Sequence, residues 1–157
     1  MRKLSASCKF GAVPVIVVGA DTSAGQAILE GLAEPKRELR AFVSDERVGA
    51  RLKKSGFKVA LGDVSDESHI ETASARCFSA ILIAEAAMDD RERTFAKTVD
   101  EVLSCWARAV VSSEVSRVIW VSPADHPQVP NREVARVDPD DPDLVEKVVA
   151  LDEAQTI

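Results

Sequence analysis

The chain has 157 residues, which suits one domain with a core of its own. It carries 26 Asp and Glu against 20 Lys and Arg, a formal net charge of −6. That excludes the basic face needed by a nucleic-acid partner or an anionic membrane surface. Aromatic residues make up only 4% of the chain, so the core must come from Val, Ala, Leu and Ile. Cys8, Cys77 and Cys105 are widely spaced and show no metal-ligand pattern, so they read as reduced thiols and no metal is expected. No apolar run reaches the roughly 18 residues of a spanning helix. The N-terminus starts basic but lacks the apolar middle of a signal peptide, and cytoplasm is the expected location. Residues 1–12 read as an extension and 13–157 as a single domain.

The β-branched apolar run at 13–19 predicts a buried strand that stops at Gly19. Ala24, Ala27, Ile28 and Leu32 then share one face of a helix over 23–34, which Pro35 ends. A second strand is expected at 39–44. A short helix over 45–54 follows, closed by Gly56. The pairs Lys36-Arg37 and Lys53-Lys54 read as solvated positions. A third strand at 58–61 leads into Gly62-Asp63. Asp66 and Glu67 open a helix over 66–75, where acidic side chains suit the positive end. Residues 80–84, apolar throughout, predict a fourth strand buried on both faces.

Phe95, Val99, Val102, Trp106, Ala109 and Val110 recur at helical spacing and predict a long helix over 89–113. A fifth strand is expected at 117–122. A loop marked by Pro123, Pro127 and Pro130 separates it from a sixth strand at 133–137. The acidic run at 138–143 reads as a solvated turn before a last helix bearing Leu144, Val145, Val148, Val149 and Leu151. Trp106 and Trp120 are expected in the core, and His69 and His126 in solvent.

Strict strand–helix alternation predicts an α/β fold: a doubly wound parallel sheet of Rossmann type, in three α/β/α layers. Ligands of such sheets sit at the carboxyl ends of the strands, where strand order reverses. Here those ends are Gly19 to Gly25, Ser44-Asp45, Gly62-Asp63, Ala84-Glu85-Ala86 and Ser122-Pro123. Strand, tight turn and helix N-terminus in succession form the arrangement that holds a dinucleotide pyrophosphate.

Four pieces, in order over roughly residues 13–125, resemble the NmrA-like, atypical short-chain dehydrogenase/reductase family. They are Val-Val-Gly-Ala-Asp-Thr-Ser-Ala-Gly25, Leu-Arg-Ala-Phe-Val-Ser-Asp45, Gly-Phe-Lys-Val-Ala-Leu-Gly-Asp63-Val64 and Val-Ile-Trp-Val-Ser122. The resemblance implies NAD or NADP across these tips. Gly19, Asp21, Thr22, Ser23, Ala24 and Gly25 would form the phosphate turn. Asp63 and Val64 would lie beside the adenine, Ala84 would line the ring path, and Ser122 would fall where the family's catalytic or orienting Ser often sits. At the second strand tip, near Ser44, Arg47 could reach a 2′-phosphate, or Asp45 could hold ribose hydroxyls; the sequence leaves both open. Asp63 reads equally as a turn cap.

Three departures weaken this picture. Thr22 stands where the family's middle glycine allows close backbone approach to phosphate. Asp21 adds a negative charge to the same turn, so either its side chain points away as a local cap or the cofactor is weakly held or lost. No tyrosine exists anywhere in the chain, so the family's Tyr-x-x-x-Lys acid/base pair is missing. Ser122 is therefore only a weak catalytic candidate.

The expected function is that of an NAD(P)-binding sensor or regulator with little or no catalysis. An NAD(P)H-dependent oxidoreductase lacking the Tyr is an alternative. So is a cofactor-free scaffold acting through a protein partner or a homo-oligomer.

Overall fold

The computed structural model describes residues 13–88, 95, 96 and 98–157. Six strands form one parallel sheet: β1 Val15–Val18, β2 Leu39–Val43, β3 Lys58–Leu61, β4 Ser79–Ile83, β5 Arg117–Val121 and β6 Glu133–Val137, in the order β3-β2-β1-β4-β5-β6. The sheet is parallel because every strand is followed by a crossover rather than a hairpin. The α-helices are α1 Ser23–Leu32, α2 Glu46–Lys54, α3 Glu67–Ser74, α4 Val99–Ser112 and α5 Leu144–Glu153, and a 3₁₀ turn spans Ala84–Met88.

Alternation along the strands sends side chains to two separate cores. Ile16, Val18, Leu82, Val118 and Trp120 meet Ile70 of α3 and Val102 and Trp106 of α4 on one face. Val15, Val17, Ile81, Ile83, Ile119 and Val121 meet Ile28 and Leu29 of α1, Leu52 of α2 and Val148 of α5 on the other. The central strands β1, β4 and β5 are buried throughout, which explains their lack of polar alternation. This is the doubly wound, three-layer α/β architecture that the alternation predicts. Both tryptophans are fully buried.

Most elements start and stop where expected, with terminal shifts explained by capping. Asp45 and Asp66 lie just outside α2 and α3 as N-caps, each accepting two backbone N–H bonds. The expected helix over 89–113 is corrected on its described part. Its portion at 89–94, like the extension 1–12 and Cys8, lies outside the described residues. Phe95 is not helical and is 66% exposed. The helix begins at Val99 because Thr98 caps it, its hydroxyl accepting from the Glu101 N–H at 3.1 Å.

A second correction concerns Arg37. Its side chain is 6% exposed, not solvated, and is ion-paired with Asp152, which is itself 1% exposed. Among the described residues, no helix is long and apolar enough to cross a membrane.

Cys77 and Cys105 are free and buried. Burial pushes both thiols up to about 11, far from the thiolate form that reacts. Two of the three thiols should therefore resist Ellman's reagent at pH 8 until denaturant is added. Rapid labelling of all three in the native protein would contradict the buried placement.

Candidate functional site

Strand order reverses between β1 and β4, so a crevice opens at their carboxyl ends. Gly19 begins its wall. Its φ is +93°, a left-handed conformation that favours glycine, and a Cβ there would stand 2.9 Å from the Cβ of Ala86. The 3₁₀ turn thus packs directly on the Gly19–Gly25 turn, and Ala84, which opens it, is buried. Gly25 is more constrained still. A Cβ at Gly25 would lie 2.2 Å from the Gly19 carbonyl oxygen and 2.7 Å from the Ala20 Cα. Only a glycine lets α1 pack this closely against the end of β1.

Thr22 caps α1. Its hydroxyl donates to the Gly19 carbonyl at 2.7 Å and accepts from the Gly25 N–H at 3.0 Å. The side chain therefore folds back onto its own turn. Ser23, the first residue of α1, is exposed. Among the described residues, the N–H groups of Ser23 and Ala24 have no hydrogen-bond acceptor. Two unpaired donors at the positive end of a helix fit one phosphate.

Asp21 points away from this cradle. Its Oδ2 accepts from the Ser44 N–H at 2.9 Å and the Asp45 N–H at 3.2 Å. One carboxylate thus ties the Gly19–Gly25 turn to the tip of β2. The side chain points away, which is one of the two alternatives for Asp21, but it bonds N–H groups 23 and 24 residues distant rather than capping its own turn. Asp45 in turn caps α2, its Oδ1 accepting from the N–H groups of Arg47 and Val48 at 2.8 and 3.2 Å. Arg47 is exposed on the first turn of α2.

At the tip of β3, Asp63 is a turn cap. Its Oδ1 accepts from the Ser65 N–H at 2.8 Å and the Ser65 hydroxyl at 2.6 Å. The Val64 side chain is buried, and its carbonyl accepts from the Trp106 indole N–H at 2.7 Å. His69 is exposed, as expected, and also bonds the tip of β3. Its Nδ1 accepts from the Asp63 N–H at 3.3 Å and would be 2.8 Å from a Cβ at Gly62. That contact explains the glycine of the Gly-Asp pair. The Ser68 hydroxyl, bonded to Asp66, holds the Asp66 carboxyl below the usual carboxylate range.

Ser122 is only 3% exposed. Its hydroxyl donates to the Ala124 carbonyl at 2.9 Å and accepts from the Ala124 N–H at 3.3 Å, while its own carbonyl accepts from Arg136 at 2.8 Å. His126, expected in solvent, stacks on Trp120 with ring centroids 5.1 Å apart. The structure thus joins residues 19–25 to Ser44 and Asp45 through Asp21, and to Ala84 through Ala86. Asp63 and Val64 form a second cluster at the β3 tip. Sequence reading places Ala86 at a strand end but misses the parts of Ser65 and His69, which bond Asp63 at the tip of β3. Among the described residues, no three His, Cys, Asp or Glu side chains converge on a metal position.

No protein-family model matches the chain, and no curated protein matches it in sequence. Solved structures do share its fold. An NADPH-dependent quinone oxidoreductase from Escherichia coli, complexed with NADPH, is 19% identical with a TM-score of 0.58, over 69% of this chain and 36% of that one. A triphenylmethane reductase from Citrobacter sp., complexed with NADP(H), is 18% identical with a TM-score of 0.59, over 70% of this chain and 37% of that one. An anaerobillin reductase from Escherichia coli O157:H7 is 22% identical with a TM-score of 0.53, over 69% of this chain and 50% of that one. The aligned region is thus about a third to a half of these proteins' own length, and the likeness establishes a shared Rossmann-type fold.

Proposed function

We propose that this chain binds a nicotinamide dinucleotide across the carboxyl edge of its sheet, in the manner of NmrA-like proteins, and acts as a sensor or regulator rather than a catalyst. One observation carries the binding half. The turn from Gly19 to Gly25 folds Thr22 inward and turns Asp21 away, leaving the Ser23 and Ala24 N–H groups for a phosphate. The dinucleotides in two fold neighbours support the same ligand class. Gly19, Ser23, Ala24 and Gly25 would form the pyrophosphate cradle. Ser44, Asp45 and Arg47 would face the adenosine ribose, Asp63 and Val64 the adenine, and Ala84 the ring path.

The nicotinamide ring, when bound, supplies a hydride donor or acceptor. Hydride transfer to a carbonyl also needs a proton donor at the developing alkoxide. The chain holds no tyrosine, and the Ser122 hydroxyl is already committed to Ala124. That supports binding without turnover. The free, buried Cys77 and Cys105 suit a reducing compartment, and we place the protein in the cytoplasm.

Calorimetric titration of the whole chain with NADH and NADPH should give saturable binding well below millimolar concentration. No binding at millimolar cofactor sinks the dinucleotide reading and favours the scaffold reading. Cofactor oxidation with a panel of quinones and carbonyls should stay at background. Enzyme-dependent turnover there would favour the oxidoreductase reading instead.

A further inference from the structure

We infer that the site takes NAD(H) and rejects NADP(H), and that the Asp21 carboxylate is the main determinant. This inference rests on the dinucleotide reading above. The two cofactors differ only at the adenosine ribose, which in folds of this type lies at the tip of β2. A 2′-hydroxyl can donate a hydrogen bond to a carboxylate. A 2′-phosphate is an acceptor carrying negative charge, and it needs N–H donors or cations.

The natural donors at this tip are the backbone N–H groups of Ser44 and Asp45 and those opening α2. All four that the capping describes are already committed. Ser44 and Asp45 donate to Asp21 Oδ2, at 2.9 and 3.2 Å. Arg47 and Val48 donate to Asp45 Oδ1, at 2.8 and 3.2 Å. The anion cradle that a strand tip and a helix N-terminus would otherwise offer is filled by two of the protein's own carboxylates. Glu46, exposed on the first turn of α2, adds a third.

On the cationic side, Arg51 donates to the Gln26 side chain at 3.0 Å. Arg47 is an exposed guanidinium on the same turn. Set against three carboxylates, one of which bridges the turn and the tip directly, Arg47 leaves the local balance negative. Such a surface accepts a diol and repels a phosphate. This sets the chain apart from the neighbours solved with NADPH and NADP(H).

Asp21→Asn is the discriminating variant. Its amide oxygen can keep both hydrogen bonds from Ser44 and Asp45 while the charge is removed. In the wild-type chain, NADH should bind about 100-fold more tightly than NADPH, the scale set by one like-charge pair near a protein surface. In Asp21→Asn the NADH-to-NADPH affinity ratio should narrow about tenfold, through stronger NADPH binding. Should Asp21→Asn lose the turn, seen as a fall in melting temperature, Glu46→Gln carries the charge test on an exposed position, with a narrowing of about twofold.

NADPH binding as tight as NADH in the wild type overturns the inference. A ratio unmoved in both variants also overturns it. Selective loss of NADPH binding in Arg47→Ala, from a wild type that prefers NADPH, overturns it by assigning the subsite to Arg47. Failure of the wild type to bind either dinucleotide removes the underlying reading, and the inference falls with it.

Discussion

Gly25→Ala should cost the chain both stability and ligand affinity. The added Cβ would sit 2.2 Å from the Gly19 carbonyl oxygen and 2.7 Å from the Ala20 Cα. Both neighbours are backbone, so no rotamer change relieves the clash, and either α1 slides along β1 or the turn opens. Overpacking of this kind costs typically about 1–3 kcal/mol, a melting temperature lower by roughly 2–12 °C for a chain of this length.

The second consequence of that substitution is functional. Opening the turn displaces the Ser23 and Ala24 N–H groups and breaks the Thr22 cap, whose bond to the Gly25 N–H is 3.0 Å long. Dinucleotide affinity should fall at least about tenfold, since a pyrophosphate cradle depends on donors held in fixed positions. Gly56→Ala is the matched control. That glycine has a positive φ, +101°, which Gly25 does not, but a Cβ there meets nothing within 4 Å. It should cost about 1–2 kcal/mol through backbone strain alone and leave binding unchanged. Equal melting and equal binding for Gly25→Ala and wild type would refute the close packing described for the turn.

Much of this fold is legible in the sequence because its signals are local. The run at Val15–Val18 reads as a strand because four apolar residues end at a glycine. The run at Ser79–Ile83 reads as one because it is buried on both faces. The glycines of the phosphate turn announce themselves by their spacing. Asp21 does not. Its charge is visible, but its direction is set by N–H groups 23 and 24 residues away, and no window of sequence holds that pairing. The start of α4 is a different case. Apolar spacing carries the periodic pattern back through Phe95, while Thr98-Val-Asp-Glu101 is a capping pattern that ends it. Two local signals compete there, and the cap prevails.

Arg117 is the residue whose role is least visible from sequence and whose loss should destabilise the chain most. Arg117 opens β5, and its side chain is fully buried. Its Nε and Nη2 donate to Glu133 Oε1 on β6 at 3.0 and 2.8 Å. Nη1 donates to the carbonyls of Leu151, Asp152 and Ala154, and Nη2 to that of Gln155. The guanidinium lies 4.9 Å over the Phe78 ring. One cation thus satisfies carbonyls at the end of α5, where the helix dipole is negative, and clamps α5 to the sheet. The buried Arg37–Asp152 pair holds the same end of α5.

Arg117→Ala removes the clamp, orphans those carbonyls and leaves Glu133 without its cation. Arg117 is fully buried but Glu133 is 30% exposed and can be hydrated, so the loss falls at the lower end of the about 3–5 kcal/mol of a fully buried pair, on the order of 10 °C in melting temperature. Arg117→Lys keeps the charge but not the planar fork, and should recover only part of it. Limited proteolysis would locate the damage. Cleavage should begin within α5 at temperatures where the phosphate turn, on the opposite edge of the sheet, is still protected. A loss below about 1 kcal/mol, the scale of an exposed ion pair, would mean that the Arg117 network contributes no more than a surface contact, and that packing of Leu144 and Val148 together with the Arg37–Asp152 pair holds α5 in place.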